Sequence, residues 1–342
     1  MSEPLLKVEN LKKHFPINDN FFFSKNSQYL KAVDGVNLEV FKGETFGIVG
    51  ESGCGKSTLS RVINKLLSPT DGTVSFMGKK ISSLSNSELR DMRKKIQMVF
   101  QNPYGSLDPR KTIEYLIMEP LNIHGVGTIQ ERKKKVHEVL ERVGLNTAHS
   151  KRYPHEFSGG QRQRINIARA IILNPDLIIC DEPVSALDVS VQAQIINLLK
   201  DLQSQYNLTY LFISHDLGVV RYVSDRIAVM YLGKIVELGS YKDIYNNQQH
   251  PYTKALLSAT PIESPFEKKE RLLLSGETPS PINPPSGCPF HKRCPHVVDE
   301  CMSKTPELRE FIPGHYAACH LMGKIPQIKN IKEREKCHSN MS

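Results

Sequence analysis

The sequence contains no tryptophan, and none of its apolar runs approaches the length that crosses a bilayer. A membrane-spanning helix needs about 20 consecutive, mostly apolar residues. The opening residues, MSEPLLKVEN, also lack the apolar centre of a secretory signal. We therefore expect the protein to be made and kept in the cytosol, so that any membrane role comes through a partner.

Concentrated charge of one sign is missing too. The 342 residues carry a net charge of +9 at pH 7, but the basic residues are scattered and form only short runs, such as residues 132–135 and 268–269. Nucleic-acid-binding proteins gather basic side chains on one face or stripe. The charge therefore predicts a mildly basic, solvated surface, without nucleic acid as a partner.

The seven cysteines are unevenly placed, and four of them crowd one stretch near the C-terminus. Cys288, Cys294, Cys301 and Cys319 follow the spacing C-x5-C-x6-C-x17-C. In a cytosolic chain such a group indicates a metal or cluster site before disulfides, and four thiolates hold either zinc or a 4Fe–4S cluster. The spacing matches neither the zinc ribbon nor the ferredoxins, so zinc, cluster and unmetallated thiols all stay open. Nearby histidines keep zinc in consideration: His291, His296, His315 and His320.

The order of apolar patterns indicates an α/β protein. Short alternating patterns predict a β-rich N-terminal part, in LLKVENLKKHF, YLKAVDGVNLEV and TVSFMGKKI. Residues 102–170 have a helical pattern, and strands then alternate with helices, which predicts a parallel sheet with ligands at its carboxyl edge. One helical face is predicted from its spacing: Val136, Val139, Leu140 and Val143. Prolines recurring over residues 261–295 mark a boundary, and three phenylalanines at residues 21–23 favour a locally packed loop.

The stretch GESGCGKST, residues 50–58, carries the strongest functional signal. It follows an apolar strand, precedes a predicted helix, and fits the phosphate-binding pattern G-x-x-x-x-G-K-[ST]. Glycines let backbone N–H groups approach phosphate oxygens, Lys56 would bridge the β- and γ-phosphates, and Ser57 would bind Mg²⁺. We expect nucleotide contacts along the whole loop: Gly50, Glu51, Ser52, Gly53, Cys54, Gly55, Lys56, Ser57 and Thr58.

A second acidic element follows the apolar run LIIC. Asp181 would hold Mg²⁺, and Glu182 is placed to polarise the attacking water. Two carboxylates before Pro183 could also simply cap a turn, but the presence of a phosphate-binding loop in the same chain favours a catalytic role. We therefore predict a nucleotide and Mg²⁺ as ligands.

A glycine pair later in the chain predicts a second anion site. One chain has no use for two such sites on one γ-phosphate. EFSGGQRQR places Ser158, Gly159, Gly160 and Gln161 before a helix, without a lysine. Two chains docked head to tail would each enclose ATP between the phosphate loop of one and the glycine pair of the other.

With these motifs the chain resembles the ATP-binding cassette (ABC) family over about residues 5–260. The resemblance implies a P-loop NTPase cassette, residues 1–260, with a RecA-like core, a β-rich subdomain and a helical subdomain at about residues 102–170. It also implies roles for four side chains: Phe15 stacks on adenine, Gln101 senses Mg²⁺, water and the permease, Asp188 crosses the dimer interface and His215 contacts the γ-phosphate.

The C-terminal part resembles the ATPases of oligopeptide, dipeptide and nickel importers. QHPYTKALLSATP, the proline-rich stretch and the four cysteines carry that resemblance. It implies a C-terminal extension, residues 261–342, forming a small cysteine-rich domain with a cluster site at about residues 288–319. Because some ATPases of this group carry an iron–sulfur cluster, a 4Fe–4S cluster is expected there and zinc is the alternative.

The resemblance implies an ATP-hydrolysing subunit that powers peptide uptake from the cytoplasmic face of the cell membrane. Its partners would be a second homologous ATPase, two permease subunits and an extracytoplasmic peptide-binding protein. An importer of nickel or another small solute is the first alternative, and a soluble nucleic-acid-associated cassette protein is the second. A single cassette with a short helical insertion favours transport over the last reading.

Overall fold

The computed structural model describes residues 3–17, 28–259 and 276–325. The three phenylalanines at residues 21–23, and the part of the proline-rich stretch before residue 276, lie outside the described residues. None of the described helices is long and apolar enough to cross a bilayer.

The described strands form two sheets. In chain order the strands are β1 (Leu6–Ile17), β2 (Gln28–Val40), β3 (Thr45–Val49), β4 (Asp71–Phe76), β5 (Lys79–Lys80), β6 (Ile96–Val99), β7 (Leu177–Asp181), β8 (Thr209–Ser214), β9 (Arg226–Tyr231), β10 (Lys234–Ser240), β11 (Arg309–Ile312) and β12 (His315–Ala317). The α-helices are α1 (Lys56–Ile63), α2 (Asn86–Lys95), α3 (Pro103–Ser106), α4 (Ile113–His124), α5 (Ile129–Arg142), α6 (Gly159–Ile171), α7 (Val189–Tyr206), α8 (Leu217–Val223), α9 (Tyr241–Asn246), α10 (Pro251–Ala259) and α11 (Asp299–Ser303).

The smaller sheet is antiparallel and has the order β2-β1-β4-β5. Its alternating residues bury one face, with Leu6, Val8 and Leu11 at 1% exposure or less. This confirms the β-rich N-terminal part that the alternation predicts, because one apolar face of such a sheet must pack against a core.

The larger sheet has the order β11-β12-β10-β9-β3-β8-β7-β6, and its centre is parallel. Every residue of β3, β7 and β8 is buried. Strands covered on both faces read as continuous apolar runs, which is why TFGIV and LIIC lack alternation. The carboxyl ends of these strands meet at one edge, as Val49 pairs with Ser214 and Asp181 with Ile213.

The segment with the helical pattern contains α3 to α6. The predicted apolar face of α5 is buried: Val136, Val139, Leu140 and Val143. A capping box starts α5, with Thr128 accepting from Glu131 N–H and the Glu131 side chain accepting from Thr128 N–H. The helix ends beside Gly144 at φ 72°, a left-handed position that suits glycine.

The cysteine-rich region, predicted as a small C-terminal domain, continues the larger sheet. β12 pairs antiparallel with β10, with Glu237 opposite Ala317. The side chains of His315 and Glu237 are fully buried there, and His315 Nε2 lies 2.9 Å from Glu237 Oε1. The described C-terminal residues are therefore fastened to the core of the cassette.

Candidate functional site

The phosphate-type loop runs from the end of β3 to the start of α1. Gly55 has φ 109°, and a Cβ atom there would lie 1.9 Å from the Ala32 carbonyl oxygen, so only glycine fits. Lys56 is 4% exposed, and its Nζ donates to the carbonyls of Gly50 at 2.7 Å and Glu51 at 2.9 Å. The loop thus wraps around a buried cation.

A cavity of about 490 Å³ opens beside this loop. Its volume is in the range of small-molecule sites. Residues from separate sequence motifs line it together: Phe15, Ser52, Gly53, Gly55, Lys56, Ser57, Thr58, Gln101, Glu182 and His215. We call this space the nucleotide cavity.

One end of the nucleotide cavity has a pair of oxygen ligands suited to Mg²⁺. Ser57 Oγ donates to Asp181 Oδ1 at 2.9 Å, and Asp181 is 4% exposed. Burial raises the pKa of Asp181, although the Ser57 hydrogen bond opposes that shift. A hydroxyl and a carboxylate beside a phosphate site form the donor set that Mg²⁺ takes together with nucleotide phosphates, so these residues fit the ion.

Two polar side chains contact one carboxylate oxygen of Glu182, because three adjacent strands end beside one another. Gln101, Glu182 and His215 follow β6, β7 and β8, which are neighbours in the sheet. Gln101 Nε2 donates to Glu182 Oε2 at 2.9 Å, and His215 Nδ1 lies 3.0 Å from the same oxygen. Glu182 has φ 48°, a backbone conformation that is uncommon for residues other than glycine.

Of the nine loop residues, Gly50, Glu51 and Cys54 do not line the nucleotide cavity. The Glu51 side chain turns away from the cavity and contacts Arg293. Cys54 is 4% exposed, with its Sγ 3.8 Å from Lys56 Nζ, and burial raises its pKa. Cys54 therefore acts as a small buried filler within the loop.

The second glycine pair lies at the start of α6 and outside the nucleotide cavity. Ser158 caps the helix by accepting from Gln161 N–H at 3.3 Å, while Ser158 N–H donates to Gln161 Oε1. A Cβ atom at Gly160 would lie 2.4 Å from Val191 Cγ1 of α7, which explains the need for glycine. None of the predicted contacts in this region lines the cavity of the same chain: Ser158, Gly159, Gly160, Gln161 and Asp188.

Two residues of the C-terminal region that belong to no sequence motif reach the nucleotide site. Pro281 lines the nucleotide cavity, and its carbonyl accepts from Lys31 N–H at 3.2 Å. Arg293 contacts Glu51 of the phosphate-type loop. A local pattern gives no signal for either contact, because the partners are far apart in the sequence.

The four C-terminal cysteines lie together around one small cavity. Cys288, Cys294, Cys301 and Cys319 line a space of about 10 Å³, with His291, His296 and His320 at its border. We call it the thiol-lined cavity; it has room for about one water molecule. Burial raises the pKa of Cys288 to about 11 and that of Cys319 to about 12. His315 does not border this cavity.

The geometry supports neither metal expectation directly. Across residues 3–17, 28–259 and 276–325, no group of three or more His, Cys, Asp or Glu side chains is placed to hold a metal ion. The four thiols lie around one cavity, and the 4Fe–4S cluster and its zinc alternative stay predictions.

Two family profiles match the chain. The first, described as ABC transporter, matches residues 33–185. The second, described as oligopeptide/dipeptide transporter, C-terminal region, matches residues 236–301. The matched ranges include the phosphate-type loop and three of the four clustered cysteines, Cys288, Cys294 and Cys301.

Curated relatives are similar over nearly the full length. The oligopeptide transport ATP-binding protein AppF of Bacillus subtilis is 56% identical, over 93% of this chain and 98% of that protein. The dipeptide transport ATP-binding protein DppF of Haemophilus influenzae is 49% identical, over 92% of this chain and 96% of that protein.

Solved structures match the cassette part. The ATP-binding cassette MJ0796, in a dimeric post-hydrolysis state bound to ADP and Pi, has a TM-score of 0.60 and 33% identity over 69% of this chain and 98% of that chain. The protein cbiO1 of Clostridium perfringens, part of the transporter complex cbiONQ, has a TM-score of 0.61 and 28% identity over 71% of this chain and 91% of that chain. The cassette fold expected from the sequence is thereby confirmed.

Proposed function

Because the chain belongs to the ABC transporter family, among the ATP-binding proteins of oligopeptide and dipeptide transport, we propose that it hydrolyses ATP to drive peptide import through a membrane permease. The observation that carries the proposal is the convergence of Lys56, Ser57 and Glu182 on one cavity, with Asp181 hydrogen-bonded to Ser57 behind it. The match of the C-terminal region to peptide transporters selects peptide import within the family.

The nucleotide cavity suits a bound ATP whose triphosphate lies along the loop. Backbone N–H groups of the loop and the start of α1 attract phosphate oxygens, and Lys56 neutralises their charge. Phe15, at the cavity wall, is the candidate for stacking on adenine. Mg²⁺ held by Ser57 and Asp181 would neutralise phosphate charge when bound.

Glu182 is the proposed catalytic base. Water attacks the γ-phosphorus, the bond to the β–γ bridging oxygen breaks with its electron pair, and Glu182 accepts the proton of the attacking water. Gln101 and His215 hold the carboxylate through its Oε2, which leaves Oε1 for the water. The products are ADP and inorganic phosphate.

A second ATPase subunit would complete the site. Ser158, Gly159 and Gly160 of one subunit, an anion-binding helix start outside its own cavity, would close on the ATP of the other, with Asp188 at the same interface. We propose a homologous rather than identical partner, two permease subunits and an extracytoplasmic peptide-binding protein. The helical segment, residues 102–170, would meet the permease near Gln101, at the cytoplasmic face of the cell membrane.

The domain division proposed for this role keeps residues 1–260 as the cassette and residues 261–342 as the extension. The extension contributes Pro281 to the nucleotide cavity and β12 to the main sheet. We therefore treat it as part of the ATPase unit.

We also propose that the four cysteines hold a 4Fe–4S cluster. A cluster takes one thiolate for each iron and does not need three ligands around one ion, which is compatible with four thiols around a shared cavity. Since that cavity is small, the cysteine-bearing loops would have to part on insertion. Such a cluster would fasten a region with little core of its own.

Anaerobic purification of the full chain tests the cluster. Wild type should contain iron and acid-labile sulfide, and Cys288→Ser should lose both. Cys337→Ser, which changes a cysteine outside the set, should keep them. Absence of iron from the anaerobic wild type would contradict the cluster, and stoichiometric zinc would establish the alternative.

Transport itself is tested by reconstituting the chain with its permease, partner ATPase and binding protein in liposomes. Short radiolabelled peptides should accumulate only with ATP, and Glu182→Gln should stop accumulation. Uptake of Ni²⁺ in place of peptides would support the small-solute alternative, and an ATPase that drives neither would overturn the importer proposal.

A further inference from the structure

We propose that Arg293 is a positioning residue that holds the phosphate-type loop. Through Arg293, the thiol-lined cavity is coupled to ATP binding. The proposal rests on the proposed function, because it takes ATP as the ligand of the nucleotide cavity. It assigns Arg293 a role beyond fastening the C-terminal region.

Arg293 makes a two-pronged contact with Glu51. Nη1 donates to Oε2 at 2.9 Å, and Nη2 donates to Oε1 at 3.1 Å. The Arg293 side chain is 9% exposed and that of Glu51 is 26% exposed. A planar guanidinium on a carboxylate fixes orientation as well as distance. Removing one partner of such a shielded pair leaves the other charge uncompensated.

Glu51 links Arg293 to Lys56, the proposed phosphate-binding lysine. Its side chain is held by Arg293, while its main-chain carbonyl accepts from Lys56 Nζ at 2.9 Å. Thr278 Oγ1 also donates to Glu51 Oε2 at 2.9 Å. A shift of Arg293 therefore moves the residue that orients the Lys56 ammonium.

The other side of Arg293 belongs to the border of the thiol-lined cavity. Arg293 lies in the single turn His291–Arg293, between Cys288 and Cys294. Cys288 N–H donates to the carbonyl of Cys301 at 2.8 Å, so that turn is tied to a third cysteine. A change in the spacing of these thiols must move the turn.

An aromatic cluster gives a second contact between the same two places. Phe290 packs against Tyr252 with ring centroids 5.5 Å apart. The hydroxyl of Tyr252 accepts from Glu51 N–H at 2.9 Å. The backbone and the side chain of Glu51 are thus both held by groups that touch the cysteine-bearing turn.

The opposing interpretation is that the ion pair only fastens the C-terminal region to the cassette. If the ion pair only fastens this region, its loss should lower the thermal stability and leave the ATP affinity of the folded protein unchanged. A positioning role predicts weaker ATP binding, with turnover at saturating ATP largely kept. The two interpretations therefore separate in one set of measurements.

The test uses the full chain, Mg²⁺ and a fluorescent ATP analogue. Arg293→Met should raise the Kd by about tenfold and raise KM for ATP while kcat stays within about twofold. Arg293→Lys should give an intermediate Kd, because an ammonium restores the charge without the fork. The control Arg309→Met changes an exposed arginine of β11 and should bind like wild type. Thermal unfolding of each variant establishes that it is folded.

Two double variants test the route. Glu51→Gln with Arg293→Met should raise the Kd no more than Arg293→Met alone, because both changes break one contact. Cys301→Ser should change the Kd by a factor of about 2–30 in the wild-type background and by much less when Arg293 is already Met.

The outcomes distinguish the two proposals. If wild type binds no ATP, the proposed function fails and the coupling fails with it. If wild type binds ATP and folded Arg293→Met and Arg293→Lys bind it equally well, only the positioning role is overturned. If Cys301→Ser has no effect on the Kd, or an equal effect in both backgrounds, the coupling through Arg293 is overturned.

Discussion

The nucleotide cavity and the thiol-lined cavity stand on different scaffolds. The first lies at the carboxyl ends of neighbouring parallel strands, which hold Gln101, Glu182 and His215 together. The second lies among short elements: the turn His291–Arg293, α11 and the residues after β12. A buried sheet positions side chains by itself, whereas short elements with little core depend on what they enclose. Substitutions in the first cavity should therefore change chemistry, whereas substitutions around the second should change stability and, through Arg293, the affinity for ATP.

The largest effect is expected from Glu182→Gln in the nucleotide cavity. The amide keeps the size of the side chain but removes the proton acceptor, so ATP turnover should fall by about 10²–10⁴-fold. Binding of ATP should persist, because Lys56 and the loop are untouched. Phosphate release and binding of a fluorescent ATP analogue measure the two quantities separately.

The matched control is Glu141→Gln, an exposed glutamate of α5 outside both cavities. It should turn over ATP like wild type. Undiminished turnover in Glu182→Gln would remove Glu182 from the role of base, and the comparison of the cavities would lose its chemical side.

A smaller effect is expected from the serine that contacts Asp181. Ser57 Oγ lies 2.9 Å from Asp181 and borders the nucleotide cavity, while Ser60 Oγ lies 3.5 Å from the same carboxylate and does not border it. Ser57→Ala should raise the Mg²⁺ concentration for half-maximal turnover by about tenfold or more. Ser60→Ala, which removes only the longer contact to Asp181, should raise it by less. Equal effects of the two changes would contradict direct binding of Mg²⁺ by Ser57.

The two cavities also differ in how far the sequence predicts them. The phosphate-type loop is local: an apolar strand, glycines, Lys56 and a helix within a short stretch determine its backbone. Gln101, Glu182 and His215 each follow an apolar strand, so the parallel sheet that the alternation predicts brings them to one edge. Local patterns and one topological rule therefore suffice for most of the nucleotide cavity.

The contacts that the sequence does not predict are long-range. Arg293 and Glu51 are separated by 242 positions, and neither residue belongs to a pattern that points to the other. The pairing of β12 with β10 depends likewise on a distant edge strand. Cysteine spacing predicts that thiols gather, but it does not encode the distances that select zinc or a cluster.

A pH-dependent loss of stability should arise beside the thiol-lined cavity, at His250. Burial lowers the pKa of His250 to about 3, and its Nδ1 accepts from Tyr252 N–H at 3.1 Å. In the unfolded chain the same ring has a pKa of about 6.5. Below about pH 6.5 the His250 ring therefore binds a proton in the unfolded chain, whereas in the folded protein it stays neutral down to about pH 3. The stabilisation is fully present above this window and is lost as the pH falls through it.

The variant His250→Asn isolates this contribution, because the amide oxygen replaces the acceptor without a group that titrates. Between pH 6.5 and pH 4.5, wild type should lose about 1.4 kcal/mol per pH unit in the free energy of unfolding relative to the variant. Denaturant unfolding of both full-length proteins at several pH values measures the difference, and ATP turnover at pH 7.5 should be similar in both. If the free energies of unfolding of wild type and variant changed with pH in parallel, His250 would be protonated in the folded protein over this range. The surroundings of the thiol-lined cavity would then be more polar than the burial of His250 indicates.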